Sequence, residues 1–443
     1  MNGTTLQAVL PSADTAGSRR NGPHTRSQRA LALSSLLLVV AFTPACDDAE
    51  PHVEPSDEEP APVELAPYDA RGPFVVGFRQ LEAPGSGGEP PLQIKAWYPA
   101  ARDGAGAGAE IEYEIELKPA DWQAFEPSVV RGHALRDAPL DPRVGARPLL
   151  VFSHGYMINP EWYSELVEHY ASKGFVVLAP EHVEADWLLA AAASFARPRD
   201  VSRTLDLAEM LSAEGGALAG LIDVDQVGVV GHSYGGYTAL AVSGARFDLA
   251  PFEQRCAALA ADDPKAFLCA PFLGRAEEMA ALAGLADVPA GIWPSQRDPR
   301  VDAIVPMAGD AYLFNAAGLS SVTVPMLALG GTMDVGTPWD WGAQLSYDHV
   351  SSSEKSLVAF EGADHMIPAD PCENLPFTSQ LPELYRQSIC QDPVWDKAVA
   401  RRWIRHYSTA FLLDVLAGDA AAHAVLLPDS EPVPGIVYTT TLR

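Results

Sequence analysis

A serine with glycine two positions away on either side is the first chemical signal in the chain. Gly231-His232-Ser233-Tyr234-Gly235 follows an apolar run, Val227 to Val230, and precedes a helix-compatible run from Tyr237 to Val242. The pattern G-x-S-x-G between strand and helix lifts the serine onto a tight, strained turn and exposes its hydroxyl. The flanking glycines leave room for that turn, and Gly236 adds a third. The N–H of Tyr234 and the start of the helix then face the place where charge would develop on a substrate carbonyl. The chemistry this pattern suits is nucleophilic attack by Ser233. The glycines and serine alone are common residues, and the strand before and helix after give the pattern its weight.

A serine hydroxyl needs a base to take its proton, and the base needs an acid to orient it. Val324 to Asp334 is an apolar run ending in Gly330, Gly331 and then Asp334. Ser356 to His365 is a second such run, ending in a loop that carries His365. Each candidate follows the carboxyl end of an expected strand, where sites on open α/β sheets are built.

At residues 231–236, 331–338 and 362–366 the chain resembles the α/β-hydrolase superfamily. Within it, the chain is similar to dienelactone-hydrolase-like esterases, platelet-activating-factor acetylhydrolases and polyester-degrading cutinases. The likeness runs from about residue 70 to the C-terminus. It implies an α/β fold, a mostly parallel twisted sheet with helices on both faces and an inserted cap. It also implies a serine esterase with Ser233, Asp334 and His365 as catalytic residues and no cofactor or metal. The backbone N–H groups of Tyr156, after His154-Gly155, and of Tyr234 would form the oxyanion hole. The acetylhydrolase branch carries its acid one strand earlier, and residues 308–314 around Asp310 look like that segment. Asp334 is preferred because 331–338 is the fuller match, which leaves Asp310 as a loop cap or secondary partner. Asp364, adjacent to His365, reads as a loop-capping residue.

The elements that must hold these groups can be read from apolar runs. Strands are expected from Phe74, Leu92, Pro148, Gly174, Val227, Ala303, Val324 and Ser356. Helices are expected over 161–173, 198–214 and 395–416, and residues 111–146 read as irregular. His154, Glu181 and His182 read as structural. Residues 244–300, rich in Pro, Ala and acids, read as the cap, inside a hydrolase domain spanning 68–443.

The N-terminus is of a different kind. Arg19, Arg20, Arg26 and Arg29 precede an apolar run, Ala30 to Phe42, too short to span a bilayer comfortably. Residues 1–45 therefore read as an export signal, and Thr43-Pro44-Ala45-Cys46 resembles a bacterial lipoprotein cleavage box. Ordinary signal-peptidase cleavage near Ala45 is the alternative. Residues 46–67 hold eight Asp/Glu, five Pro and no Lys/Arg, the composition of a solvated tether. Removing 1–45 takes away four Arg and one Asp and moves the formal charge from −28 to −31. Such a charge repels nucleic acid and anionic membranes. Membrane attachment would come only through a lipid on Cys46. Of the other four cysteines, local pairing, 256 with 269 and 372 with 390, is the economical choice among three connectivities.

The expected substrate is a small-molecule or lipid-like ester in the cell envelope or outside the cell. The same residues could cleave amides, acetylated phospholipids or polyesters. The reading from a different class is a surface lipoprotein that keeps the fold as a binding scaffold.

Overall fold

The computed structural model describes residues 67–85, 88–101, 110–115, 128–184, 186–260, 262–428 and 432–443. The expected signal (1–45), Cys46 and all of the tether except Pro67 lie outside the described residues.

The strands are β1 (Val75–Ala83), β2 (Leu92–Ala100), β3 (Glu110–Ile115), β4 (Ser128–Arg136), β5 (Arg147–Ser153), β6 (Val176–Pro180), β7 (Ile222–His232), β8 (Ala303–Met307), β9 (Met326–Gly331), β10 (Lys355–Phe360) and β11 (Ile436–Thr440). They form one sheet in the order β11-β10-β9-β8-β7-β5-β6-β2-β1-β4-β3. The strands from β6 to β10 in that order are parallel. β2 is antiparallel to both β6 and β1, and β11 is antiparallel to β10.

The parallel strands are apolar throughout because both faces are covered. In β5, Leu149 and Val151 join one core layer and Leu150 and Phe152 the other, as the pleat requires. The helices are α1 (Ser164–Ser172), α2 (Ala190–Ser212), α3 (Tyr234–Ser243), α4 (Leu249–Ala258), α5 (Ala266–Cys269), α6 (Ala276–Leu282), α7 (Asn315–Leu319), α8 (Ala343–His349), α9 (Glu383–Cys390), α10 (Lys397–Ala417) and α11 (Ala420–Ala424). α1 and α10 cover one face with Leu166, Val167, Tyr170, Ile404 and Phe411. α2 and α3 cover the other with Val201, Leu205, Tyr237 and Leu240. α10 is bounded as its sequence dictates. The Asp396 carboxylate accepts the N–H groups of Ala398 and Val399, and Gly418 ends the helix in the left-handed conformation at φ 65°.

The chain leaves β5 for β6 on one side and returns to β7 on the other. That reversal opens a crevice at the carboxyl ends of β5 and β7. Ser153 there pairs with Gly231.

Three expectations are corrected. Residues 111–146 are not irregular throughout, because they contain most of β3 and all of β4. Ile111, Tyr113 and Ile115 are buried while the glutamates between them are exposed, a period of two disguised by its charge. The helix expected from 198 begins at Ala190, with Pro198 inside it. Proline has no N–H to give the Ser194 carbonyl. That carbonyl instead accepts the Tyr237 hydroxyl at 2.8 Å and the Gln296 amide at 3.3 Å. Strand β11, near the C-terminus, was not expected. Among the described residues, no helix is long and apolar enough to cross a membrane.

Residues 244–300 carry α4, α5 and α6, and a disulfide joins Cys256 to Cys269. A second joins Cys372 to Cys390. The pairing is the local one, and it fits an oxidising compartment. Replacing either pair by serine is expected to lower unfolding free energy by about 2–4 kcal/mol. Urea denaturation checks this, and an unchanged midpoint would contradict it.

Candidate active site

Ser233 has φ 57° and ψ −122°, a conformation that costs a side chain of ordinary chirality on the order of 1–3 kcal/mol. Its surroundings hold it there. Its N–H donates to the Met307 carbonyl at 2.9 Å, and its own carbonyl accepts from Gly236 and Tyr237 at 2.8 and 3.1 Å. The glycines are required by close approach. A Cβ on Gly231 would lie 2.3 Å from the Gly235 carbonyl oxygen. One on Gly235 would lie 1.9 Å from the Ser153 oxygen, and one on Gly236 would lie 2.4 Å from the Gly309 Cα.

The structure brings Ser233, His365 and Asp334 together. His365 Nε2 lies 2.9 Å from Ser233 Oγ, and Nδ1 lies 2.9 and 2.8 Å from the two Asp334 oxygens. The Asp334 side chain is buried, whereas that of His365 is 16% exposed. Gly336 lets the loop after Asp334 lie on the imidazole, since a Cβ there would stand 2.6 Å from His365 Cγ. Asp310 does not occupy the acid's place. It accepts the Thr337 hydroxyl at 2.6 Å, while the Thr337 N–H donates to Asp334 at 2.7 Å. One threonine thus spans both carboxylates. Asp364 accepts the N–H groups of Val335 at 3.0 Å and His365 at 2.7 Å, which holds the loop.

Burial alone would lower the His365 pKa. The Asp334 carboxylate outweighs it, with help from Asp310, and the value rises to about 9. Burial pushes the Asp310 carboxyl up to about 7, against the Thr337 hydrogen bond.

Sequence reasoning missed what fixes the His365 loop. His232 is buried, and burial holds its pKa well below the usual histidine value, so its ring is neutral. Its Nε2–H donates to the His365 carbonyl at 3.0 Å, and its Nδ1 accepts the Tyr163 hydroxyl at 2.7 Å. Farther along the same loop, Asp370 accepts the Ser164 hydroxyl at 2.5 Å and the Glu165 N–H at 3.2 Å. His232 was visible as the residue before the serine, but its partners lie 69 and 133 positions away.

Tyr234 opens α3, so its N–H has no partner within the helix. Tyr156 lies in the loop after β5, and the two tyrosine rings meet edge to face at 5.2 Å. Trp187 packs edge-on against both rings. Its indole N–H donates to the Phe267 carbonyl of α5 at 3.0 Å. These aromatic groups join residues 244–300 to the loop beside Ser233. His154 accepts the His182 N–H at 3.1 Å, and the His182 ring contacts Ser153 Oγ and Asp200. Both histidines brace the loop. Among the described residues, no cluster of three His, Cys, Asp or Glu could hold a metal ion. A cleft of about 680 Å³ between α2 and residues 293–297 has no triad residue in its lining.

A family model described as chlorophyllase matches residues 137–269. Among solved structures, the chain is similar to a ferulic acid esterase from Streptomyces cinnamoneus, with 20% identity and a TM-score of 0.55. The match covers 84% of this chain and 98% of that one. No curated protein sequence matches. The sheet order and these likenesses identify the fold as that of the α/β-hydrolases.

Two outcomes follow from the geometry. Asp334→Asn is expected to lower kcat by roughly 10⁴, and Asp310→Asn by less than about tenfold. Steady-state kinetics checks this, and the reverse ranking would contradict it. His365 must be neutral to take a proton, so kcat/KM should climb about tenfold per pH unit and level off near pH 9. A plateau already reached at pH 7 would contradict it. The same raised pKa contributes stability that is complete below about pH 6.5 and lost as pH rises through about 9.

Proposed function

We propose that this protein is an exported serine hydrolase that cleaves carboxylic esters through an acyl-enzyme intermediate. The observation that carries the reading is the unbroken hydrogen-bonded line from Ser233 Oγ through the His365 imidazole to Asp334. Ser233 Oγ attacks the ester carbonyl carbon as its proton passes to His365 Nε2. The oxyanion is held by the N–H groups of Tyr156 and Tyr234. His365 then gives its proton to the departing alkoxide, which leaves the acyl group on Ser233. Water attacks that acyl group while His365 takes a proton from it, and the acid departs as Ser233 regains its hydrogen. Asp334 holds the imidazole tautomer and balances its charge.

The likenesses favour esters. One structural relative is a ferulic acid esterase, and the chlorophyllase family is an esterase family. The partly exposed rings of Tyr156, Trp187 and Phe267 suit a small or lipid-like ester with a planar or apolar part. Export is supported by the two disulfides and by the signal-like residues 1–45. Attachment to a membrane would come from a lipid on Cys46.

A panel of p-nitrophenyl esters of increasing acyl length tests the activity. Ser233→Ala is expected to lose roughly 10⁴–10⁶ of kcat on the best of them while unfolding at the wild-type temperature. A variant that kept a tenth of wild-type activity would refute the assignment.

A further inference from the structure

Outside the triad, a second buried assembly grips the loop that carries Tyr156. Arg197, on α2, is 1% exposed. Its Nε and Nη2 donate to the two Glu184 oxygens at 2.5 and 2.7 Å. Its Nη1 donates to the His154 carbonyl at 2.6 Å, and Nη2 reaches the Gly155 carbonyl at 3.0 Å. Glu184 closes the loop from the other side by accepting the Met157 N–H at 3.0 Å. The guanidinium also faces the rings of Tyr156 and Tyr234, 5.7 and 5.3 Å from their centroids. One ion pair therefore fixes two carbonyls before Tyr156 and one N–H after it.

The consequence follows from peptide geometry. The Gly155 carbonyl and the Tyr156 N–H belong to one planar trans unit and point in opposite directions. That carbonyl accepts the His154 Nδ1–H at 2.7 Å as well as Arg197, and drawing it toward both turns the Tyr156 N–H away from them. Rotating the unit would exchange a donor for an acceptor at the same place. The backbone does not hold this arrangement by itself. Met157 sits at φ 58°, which an unbranched non-glycine residue adopts only when its surroundings compel it. A buried arginine is also costly unless every arm is paired, and here the carboxylate and two carbonyls supply partners.

We infer that Glu184 and Arg197 are positioning residues for the oxyanion hole, locking the peptide between Gly155 and Tyr156 with its N–H turned to the reacting carbonyl. This rests on the reading of Tyr156 as an oxyanion donor. The pair touches no reacting atom. It acts on the transition state, where the oxygen carries charge, and little on the bound ester.

The test compares wild type, Ser233→Ala, Glu184→Gln and the double variant Glu184→Gln/Arg197→Met on a soluble p-nitrophenyl ester. The double variant removes both charges, so no unpaired ion stays buried and a folded reference is kept. For both clamp variants kcat should fall by roughly 10²–10³, the loss seen when one oxyanion donor is removed. KM should stay within about threefold. Inhibition by a trifluoromethyl ketone, which forms a tetrahedral adduct with a serine, should weaken by the factor by which kcat falls. Adding Met157→Gly to Glu184→Gln should restore part of kcat, because glycine adopts φ 58° freely. Clamp variants that keep wild-type kcat, or that raise KM alone, would overturn the inference while an inactive Ser233→Ala left the hydrolase reading standing. An active Ser233→Ala would overturn that reading itself.

Discussion

The site depends on one backbone crossing. Strand β7 ends where Gly231 and Gly235 approach the carbonyls of Gly235 and Ser153 so closely that a single Cβ at either position would be excluded. That approach forces Ser233 into the left-handed region and sets its hydroxyl above the start of α3. It also docks the loop after β5 against the elbow, since Ser153 is the residue that Gly235 touches. Ser233 and the loop bearing Tyr156 are thus brought together where the first turn of α3 meets the end of β5, at the point where the chain reverses direction across the sheet.

Around that crossing the molecule keeps charges apart. His232 and His365 have ring centroids 4.7 Å apart, and a charge on both would be costly. Burial leaves His232 neutral and useful only as a hydrogen-bond bridge, while Asp334 favours the charged form of His365. The two carboxylates are separated by Thr337, which bonds to both and leaves only Asp334 on the imidazole. Asp310, raised by burial to about 7, is a carboxyl whose charge at neutral pH is poorly favoured.

Much of this was legible in the sequence for local reasons. The elbow, the strands from β5 to β10 and the body of α10 are written in residues a few positions apart. The two disulfides close loops of 13 and 18 residues, so the nearest pairing was the one formed. The rest was written across distance or in an unfamiliar guise. β3 hid because glutamates fill its exposed positions. α2 was expected only from 198, whereas it runs from Ala190 through Pro198, whose missing N–H is offset by Tyr237 and Gln296. Nothing local to His232 names Tyr163 or the His365 carbonyl as its partners. Nothing local to Glu184 or Arg197 marks them as a pair that the fold buries under the Tyr156 loop.

The central claim is that Ser233 is an activated nucleophile, and covalent capture tests it most directly. A fluorophosphonate incubated with the folded protein, followed by intact-mass measurement and peptide mapping, should give one adduct, on the peptide holding Ser233. The rate of capture should drop by orders of magnitude in His365→Ala, where no base draws the proton away. Absence of an adduct, an adduct on another residue, or equal labelling of His365→Ala would contradict the account.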